Sequence, residues 1–228
     1  MFALVACAPR GALTILPSYE ADQVQRVFIA TSRAATEGSV TFGPDRSTRL
    51  LFGRIDLSIP KDRVAGELRW PRGEVDFDRD FVGVDASRIS DPASFRQLIR
   101  EADTEGQQET LVYVHGFNKN LAESVYRIGQ VAWDFEAARP VVAFSWPSAA
   151  ETTGYVYDRD SIIFARDDLE RLLIELTKDG RKVFLMGHSM GSQLIMEVMR
   201  QISIGGTMDL RQISGVALFQ PDIDEEVF

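Results

Sequence analysis

From Thr110 onward the hydrophobic positions fall into two alternating periods. Continuous apolar runs at Thr110–Val114, Pro140–Phe144, Lys182–Met186 and Ile213–Phe219 read as strands buried on both faces. Between them, apolar residues recur every three or four positions. Leu121, Val125, Ile128, Ala132 and Phe135 mark one helix face, with Asn120 placed to cap it. Ile162–Thr177 predicts a second helix, stopped by Lys178-Asp179-Gly180. Leu194, Ile195, Val198, Met199 and Ile202 predict a third, ended by Gly205-Gly206. Upstream, Asp91-Pro92 joins a capping side chain to proline at the first helical position, and Phe95, Leu98, Ile99 and Ala102 face inward from there.

The N-terminal part follows another pattern. Arg26–Thr31 is a first strand, and Thr36–Ser47, with its glycines and Pro44, reads as a loop. From Leu51 to Ile59 apolar and polar positions alternate as in a half-buried strand, closed by Pro60, and a weaker strand pattern lies at Phe81–Val84. Ala8 to Gln25 has two prolines and little periodicity, as a linker would. Strands alternating with amphipathic helices give a doubly wound α/β fold, its sheet mostly parallel with antiparallel N-terminal strands. The expected division is a tail over residues 1–25 and one domain over 26–228.

Composition narrows the functional classes. A net charge of −9, with no Lys/Arg cluster, argues against a nucleic-acid partner. No apolar run has the length of a membrane span. The single cysteine cannot form an internal disulfide. Its setting, Leu4-Val5-Ala6-Cys7, resembles a bacterial lipoprotein lipobox, without the positively charged leader that normally precedes one. Two readings stand: a signal remnant, with lipidated Cys7 anchoring the protein in the cell envelope, or an apolar tail on a cytoplasmic protein.

The chemistry centres on Gly187-His188-Ser189-Met190-Gly191. This Gly-x-Ser-x-Gly stretch lies between a buried strand and an amphipathic helix, the setting of a nucleophile elbow. The tight turn needs small residues two before and two after the serine, and the helix start favours a developing oxyanion. Other unusual residues end other strands, where sites form in open α/β sheets. His115-Gly116-Phe117-Asn118 can aim the Phe117 N–H at the site, to form an oxyanion hole with that of Met190. His115 and His188 are both read as structural, one holding this loop and one beside the elbow. Trp146 either lines a substrate pocket or covers the sheet end. The loop Ala149–Asp160 is aromatic enough for a lid. Asp222 and Asp224 are candidate acids for a triad, against a reading as turn-capping aspartates.

Together, Phe28–Arg33, His115–Asn118, Phe144-Ser145-Trp146-Pro147, Gly187–Gly191 and Pro221–Asp224 resemble a largely uncharacterised bacterial family of α/β-hydrolase proteins with esterase- or lipase-like motifs. The resemblance runs from about Val27 to Phe228. It implies an α/β-hydrolase sheet, Ser189 as nucleophile, and Phe117 and Met190 as oxyanion donors. It also implies further strand–helix units after Phe228, bearing a triad aspartate and histidine. No histidine follows Ser189 here. The expectation is therefore an incomplete hydrolase domain, acting in intact form on small-molecule or lipid esters with no metal or cofactor, and inactive as this chain. The alternative is a non-catalytic binding domain on the same fold.

Overall fold

The computed structural model describes residues 10–224 and 226; Cys7, and with it the lipobox, lies outside them. Seven strands form one sheet: β1 (Val24–Ala35), β2 (Phe42–Ser58), β3 (Val82–Ile89), β4 (Glu109–Val114), β5 (Val141–Ser145), β6 (Lys182–His188) and β7 (Ile213–Phe219). Their spatial order is β3-β2-β1-β5-β4-β6-β7. β1, β2 and β3 pair antiparallel, and every pairing from β1 to β5 onward is parallel. Four helices connect them: α1 (Pro92–Glu101), α2 (Leu121–Asp134), α3 (Tyr155–Thr177) and α4 (Met190–Gly205), with a short 3-10 turn at Leu210–Gln212.

The period of two along each central strand sends side chains to two separate cores. Phe28, Val112, Val114, Phe144 and Leu185 face α1, α3 and α4. Val27, Ile29, Leu111, Tyr113 and Ala143 face α2, meeting Val125 and Ile128. The doubly wound, mostly parallel sheet expected from the sequence is the one observed. The capping residues also act as read: Asp91 accepts from the Ser94 N–H and Asn120 from the Glu123 N–H. Gly206 takes the left-handed conformation that ends α4.

Several boundaries differ. Thr36–Ser47 is not all loop, because β2 begins at Phe42 and pairs back to Ala35, with register shifts on both sides of the Arg33–Arg46 pair. Those irregularities accommodate Gly43 and Pro44 in a strand. β2 is buried on both faces rather than half-buried: Phe52 packs with Phe95, and Asp56 is closed over by Arg26 and Arg54. Phe135 is solvent-exposed, since α2 ends at Asp134 before its stripe is complete. α3 starts at Tyr155, so half of the expected Ala149–Asp160 lid is helix. The tail, from Arg10 on, is bound to the domain. The Leu16 N–H donates to the Gly83 carbonyl at 2.7 Å, the Gly83 N–H donates to the Thr14 carbonyl at 2.8 Å, and the Tyr126 hydroxyl donates to the Ala12 carbonyl at 3.1 Å.

Candidate active site

β6 delivers the chain to Ser189 at the carboxyl edge of the sheet, and α4 begins at the next residue. Ser189 has φ 51° and ψ −123°, a backbone state that costs a serine about 1–3 kcal/mol and persists only where the surroundings impose it. Here they do. The Ser189 N–H donates to the Phe219 carbonyl at 2.9 Å, and its own carbonyl accepts from the N–H of Ser192 at 2.9 Å and of Asp222 at 3.3 Å. The end of β7 and the first turn of α4 thus hold the elbow from two sides.

The flanking glycines are required by space. A methyl group on Gly191 would lie 2.3 Å from the Val114 carbonyl oxygen, and one on Gly187 would lie 2.8 Å from the Ser192 Cα. α4 can therefore reach the sheet only because both positions lack a side chain. Gly116, on the loop after β4, is packed as tightly: a methyl there would lie 2.9 Å from the Ser189 Cβ. The Gly116 loop and the Ser189 turn are in van der Waals contact. Among the described residues, no protein acceptor takes the N–H of Phe117 or of Met190.

Two buried charges brace this loop, and no local sequence signal announces either role. Asp158, in the first turn of α3, is fully buried. Its carboxylate accepts from the Asn118 N–H at 3.1 Å, the Ala149 N–H at 2.7 Å and the Ser148 hydroxyl at 2.7 Å. Asn118 is held at φ 59°, left-handed for a non-glycine residue. Arg33 is 1% exposed and donates to the Ser145 hydroxyl at 2.9 Å and the Lys119 carbonyl at 3.0 Å. Burial brings its pKa down to about 10, with the charge of Asp158 the main opposing influence. Arg10 reaches in from the N-terminal segment, bonding the Asn118 carbonyl at 2.8 Å and the Asn118 side chain, and bridging to Glu123.

His115 is wholly buried and stacked on Trp146, with ring centroids 4.7 Å apart. Its Nδ1 faces the Gly116 carbonyl at 2.9 Å and its Nε2 the Trp146 carbonyl at 3.1 Å. Burial, then the nearby Arg33 charge, lower its pKa to about 3, so it is a neutral brace within the loop. Trp146 is also fully buried, and its indole N–H donates to the His115 carbonyl at 2.7 Å. Its ring has no exposed surface and packs at the end of the sheet. His188 is partly buried with its pKa lowered, first by burial, and its Nδ1 packs against Gly116. Neither imidazole hydrogen-bonds the Ser189 hydroxyl among the described residues.

The Asp222 carboxylate accepts from the Tyr155 hydroxyl at 3.0 Å, and Tyr155 in turn packs edge-on against Phe117. Asp224 caps the Glu226 N–H at 2.8 Å. Both aspartates line an open cavity of about 730 Å³ between α3 and α4, which Met196, Met199 and Ile223 make largely apolar. No group of three or more His, Cys, Asp or Glu side chains among the described residues could hold a metal ion. No described helix is long and apolar enough to cross a membrane.

Residues 91–228, more than half of the chain, match a family described as alpha/beta hydrolase of unknown function (DUF900). The chain belongs to this family. The match begins at the α1 cap and takes in the loop after β4, the turn at Ser189 and the Asp222–Asp224 segment. No curated protein matches the chain. In this α/β hydrolase the antiparallel β1–β3 precede the matched region, and β1 reaches the site through Arg33.

Proposed function

We propose that this protein is a serine hydrolase acting on carboxylic esters, with Ser189 as the nucleophile. The carrying observation is the Ser189 backbone, held at positive φ between β6 and α4 against the Gly116 loop. In this reading the Ser189 Oγ attacks the acyl carbon, and the carbonyl electrons move onto oxygen. The Phe117 and Met190 N–H groups, aided by the positive end of α4, hold that oxyanion. Its collapse expels the alcohol, and water then releases the acid from the acyl-enzyme.

The proton on the Ser189 Oγ needs a base. His115 is neutral and spent on backbone carbonyls, His188 faces Gly116, and the 228 residues hold no third histidine. Acylation by these residues alone is expected to be slow, resting on the oxyanion donors and binding. A fluorophosphonate should label Ser189, and imidazole in solution should speed the labelling by taking the base's place. No labelling of the native protein above that of the denatured protein, with or without imidazole, would sink the assignment.

A second reading, a non-catalytic binding domain on the same fold, is favoured by the engagement of both histidines elsewhere. It expects no labelling under either condition. Anchoring through Cys7 is a separate proposal, tested by a lipid-sized mass increase on Cys7 in a membrane fraction.

A further inference from the structure

A cavity of about 320 Å³ opens on the α2 side of the sheet, at the carboxyl ends of β4 and β6. His188 forms part of its wall, and Gly116, which that ring touches, also touches Ser189. The cavity therefore lies one residue behind the nucleophile, on the far side of the oxyanion loop from the α3–α4 cleft.

Two independent features give it a chemical preference. Its wall holds buried hydrogen-bonding groups without partners: the Ser124 hydroxyl, on a residue 1% exposed, and the Trp70 indole N–H. An unmade buried hydrogen bond costs about 1–3 kcal/mol, and an indole N–H can only donate. Both atoms are closed off from solvent, and an acceptor entering the cavity reaches them by displacing the side chains that cover them.

The second feature is charge. Within a protein of net charge −9, this cavity is rimmed by Lys119 and Arg127. Arg127 is bonded to the neutral Gln130 side chain rather than to a carboxylate. After burial, the repulsion that Lys119 and Arg127 exert is what lowers the pKa of His188. The acid of the wall, Glu123, is already engaged by Arg10 at 3.1 Å, with Lys119 3.9 Å away. The other titratable groups facing the space, Tyr113 and His115, are both held neutral by burial. Donors without partners beneath two cations form a receptor for an anion.

We propose that this cavity receives the anionic end, a carboxylate or a phosphate group, of the ester on which Ser189 acts. This rests on the serine-hydrolase reading for the ester, but not for the anion. The substrate would thus be a charged ester, with its neutral part directed toward the elbow and its anion between Lys119, Arg127, Ser124 and Trp70.

Calorimetric titration with succinate, and separately with inorganic phosphate, tests the anion site directly. Saturable binding is expected, equal in the native protein and in Ser189→Ala, and the tighter ligand names the group. Arg127→Gln and Lys119→Gln, both at exposed positions, should each weaken it roughly tenfold. Arg200→Gln, in the α3–α4 cleft, should not. On binding, the His188 ring should titrate at higher pH by NMR. Absence of saturable binding, or binding that Arg127→Gln and Lys119→Gln leave unchanged, overturns the proposal. Saturating succinate should slow fluorophosphonate labelling of Ser189, and an unchanged rate overturns the claim that both belong to one site. Labelling without anion binding defeats this inference and spares the nucleophile. Anion binding without any labelling defeats the nucleophile and leaves an anion site.

Discussion

Gly116 and Ser189 are in direct contact across the carboxyl edge of the sheet, so close that a methyl group on Gly116 would come within 2.9 Å of the Ser189 Cβ. The same methyl would meet the His188 Nδ1 at 2.7 Å. The loop after β4 and the Ser189 turn are therefore set by one another. Gly116→Ala should push the Phe117 N–H away from the serine and slow labelling by about a hundredfold, the scale of losing one oxyanion donor. The fold should survive, since the loop can yield outward. Labelling rate and thermal unfolding, measured together, check this, and an unaltered rate would separate the loop from the chemistry.

Gly191 offers no such escape. A methyl there would meet two backbone carbonyls, of Val114 at 2.3 Å and of His115 at 2.5 Å, both fixed by the sheet and by buried His115. Gly191→Ala should force α4 off the sheet. Expression as insoluble protein, or loss of the cooperative transition, is the expected result.

Asp158 binds three groups from two loops and partly offsets buried Arg33. Asp158→Asn keeps the shape but removes the charge and replaces one acceptor by a donor. Leaving Arg33 uncompensated should cost about 3 kcal/mol in denaturant unfolding. Labelling should fall as well, because a single amide oxygen cannot hold both the Asn118 and the Ala149 N–H groups beside Phe117. A loss below 1 kcal/mol would mean that Arg33 is balanced from elsewhere.

Arg10 allows a contrast between stability and site. It is substantially exposed, so Arg10→Ala should cost less than about 1 kcal/mol. Yet it ties the N-terminal segment to the Asn118 carbonyl. Hydrogen exchange at Phe117 and Asn118 should rise in the variant while exchange in β4 and β6 stays unchanged. Equal exchange at the loop would remove Arg10 from the bracing of the site.

His115 sets an acid limit. Its pKa is depressed from the ordinary 6.5 to about 3, so the unfolded chain takes up the proton first. The stability it lends is complete above about pH 6.5 and is lost as pH falls toward 3. Between pH 6.5 and 5, above the carboxylate range, unfolding free energy should fall with pH in the native protein and more shallowly in His115→Gln. Parallel slopes would show that another group governs this window.

The parts of the fold legible in the sequence were those governed by local periodicity. β7 and the caps Asp91 and Asn120 lie where the pattern put them, because buried strands and capped helix starts are local signals. The strand at Phe42–Ser47 carries no local signal, because its pairing there depends on distant β1 through irregular register. The first two turns of α3 are not legible locally, because Gly154 gives no side-chain cap and the Asp158 contacts there are made with other loops. At the candidate site, the Gly-x-Ser-x-Gly spacing marks a tight strand-to-helix turn, and the positive-φ turn between β6 and α4 falls at Ser189. Arg33, Asp158 and Arg10 were missed as braces because their partners lie up to 140 residues away and no spacing announces them.

The most direct test of the account is intact-mass and peptide analysis of the native protein treated with a fluorophosphonate, with and without imidazole. The expected result is one adduct on the Ser189 peptide, formed faster with imidazole and absent in Ser189→Ala. No adduct above the denatured control, or an adduct that persists in Ser189→Ala, would contradict it.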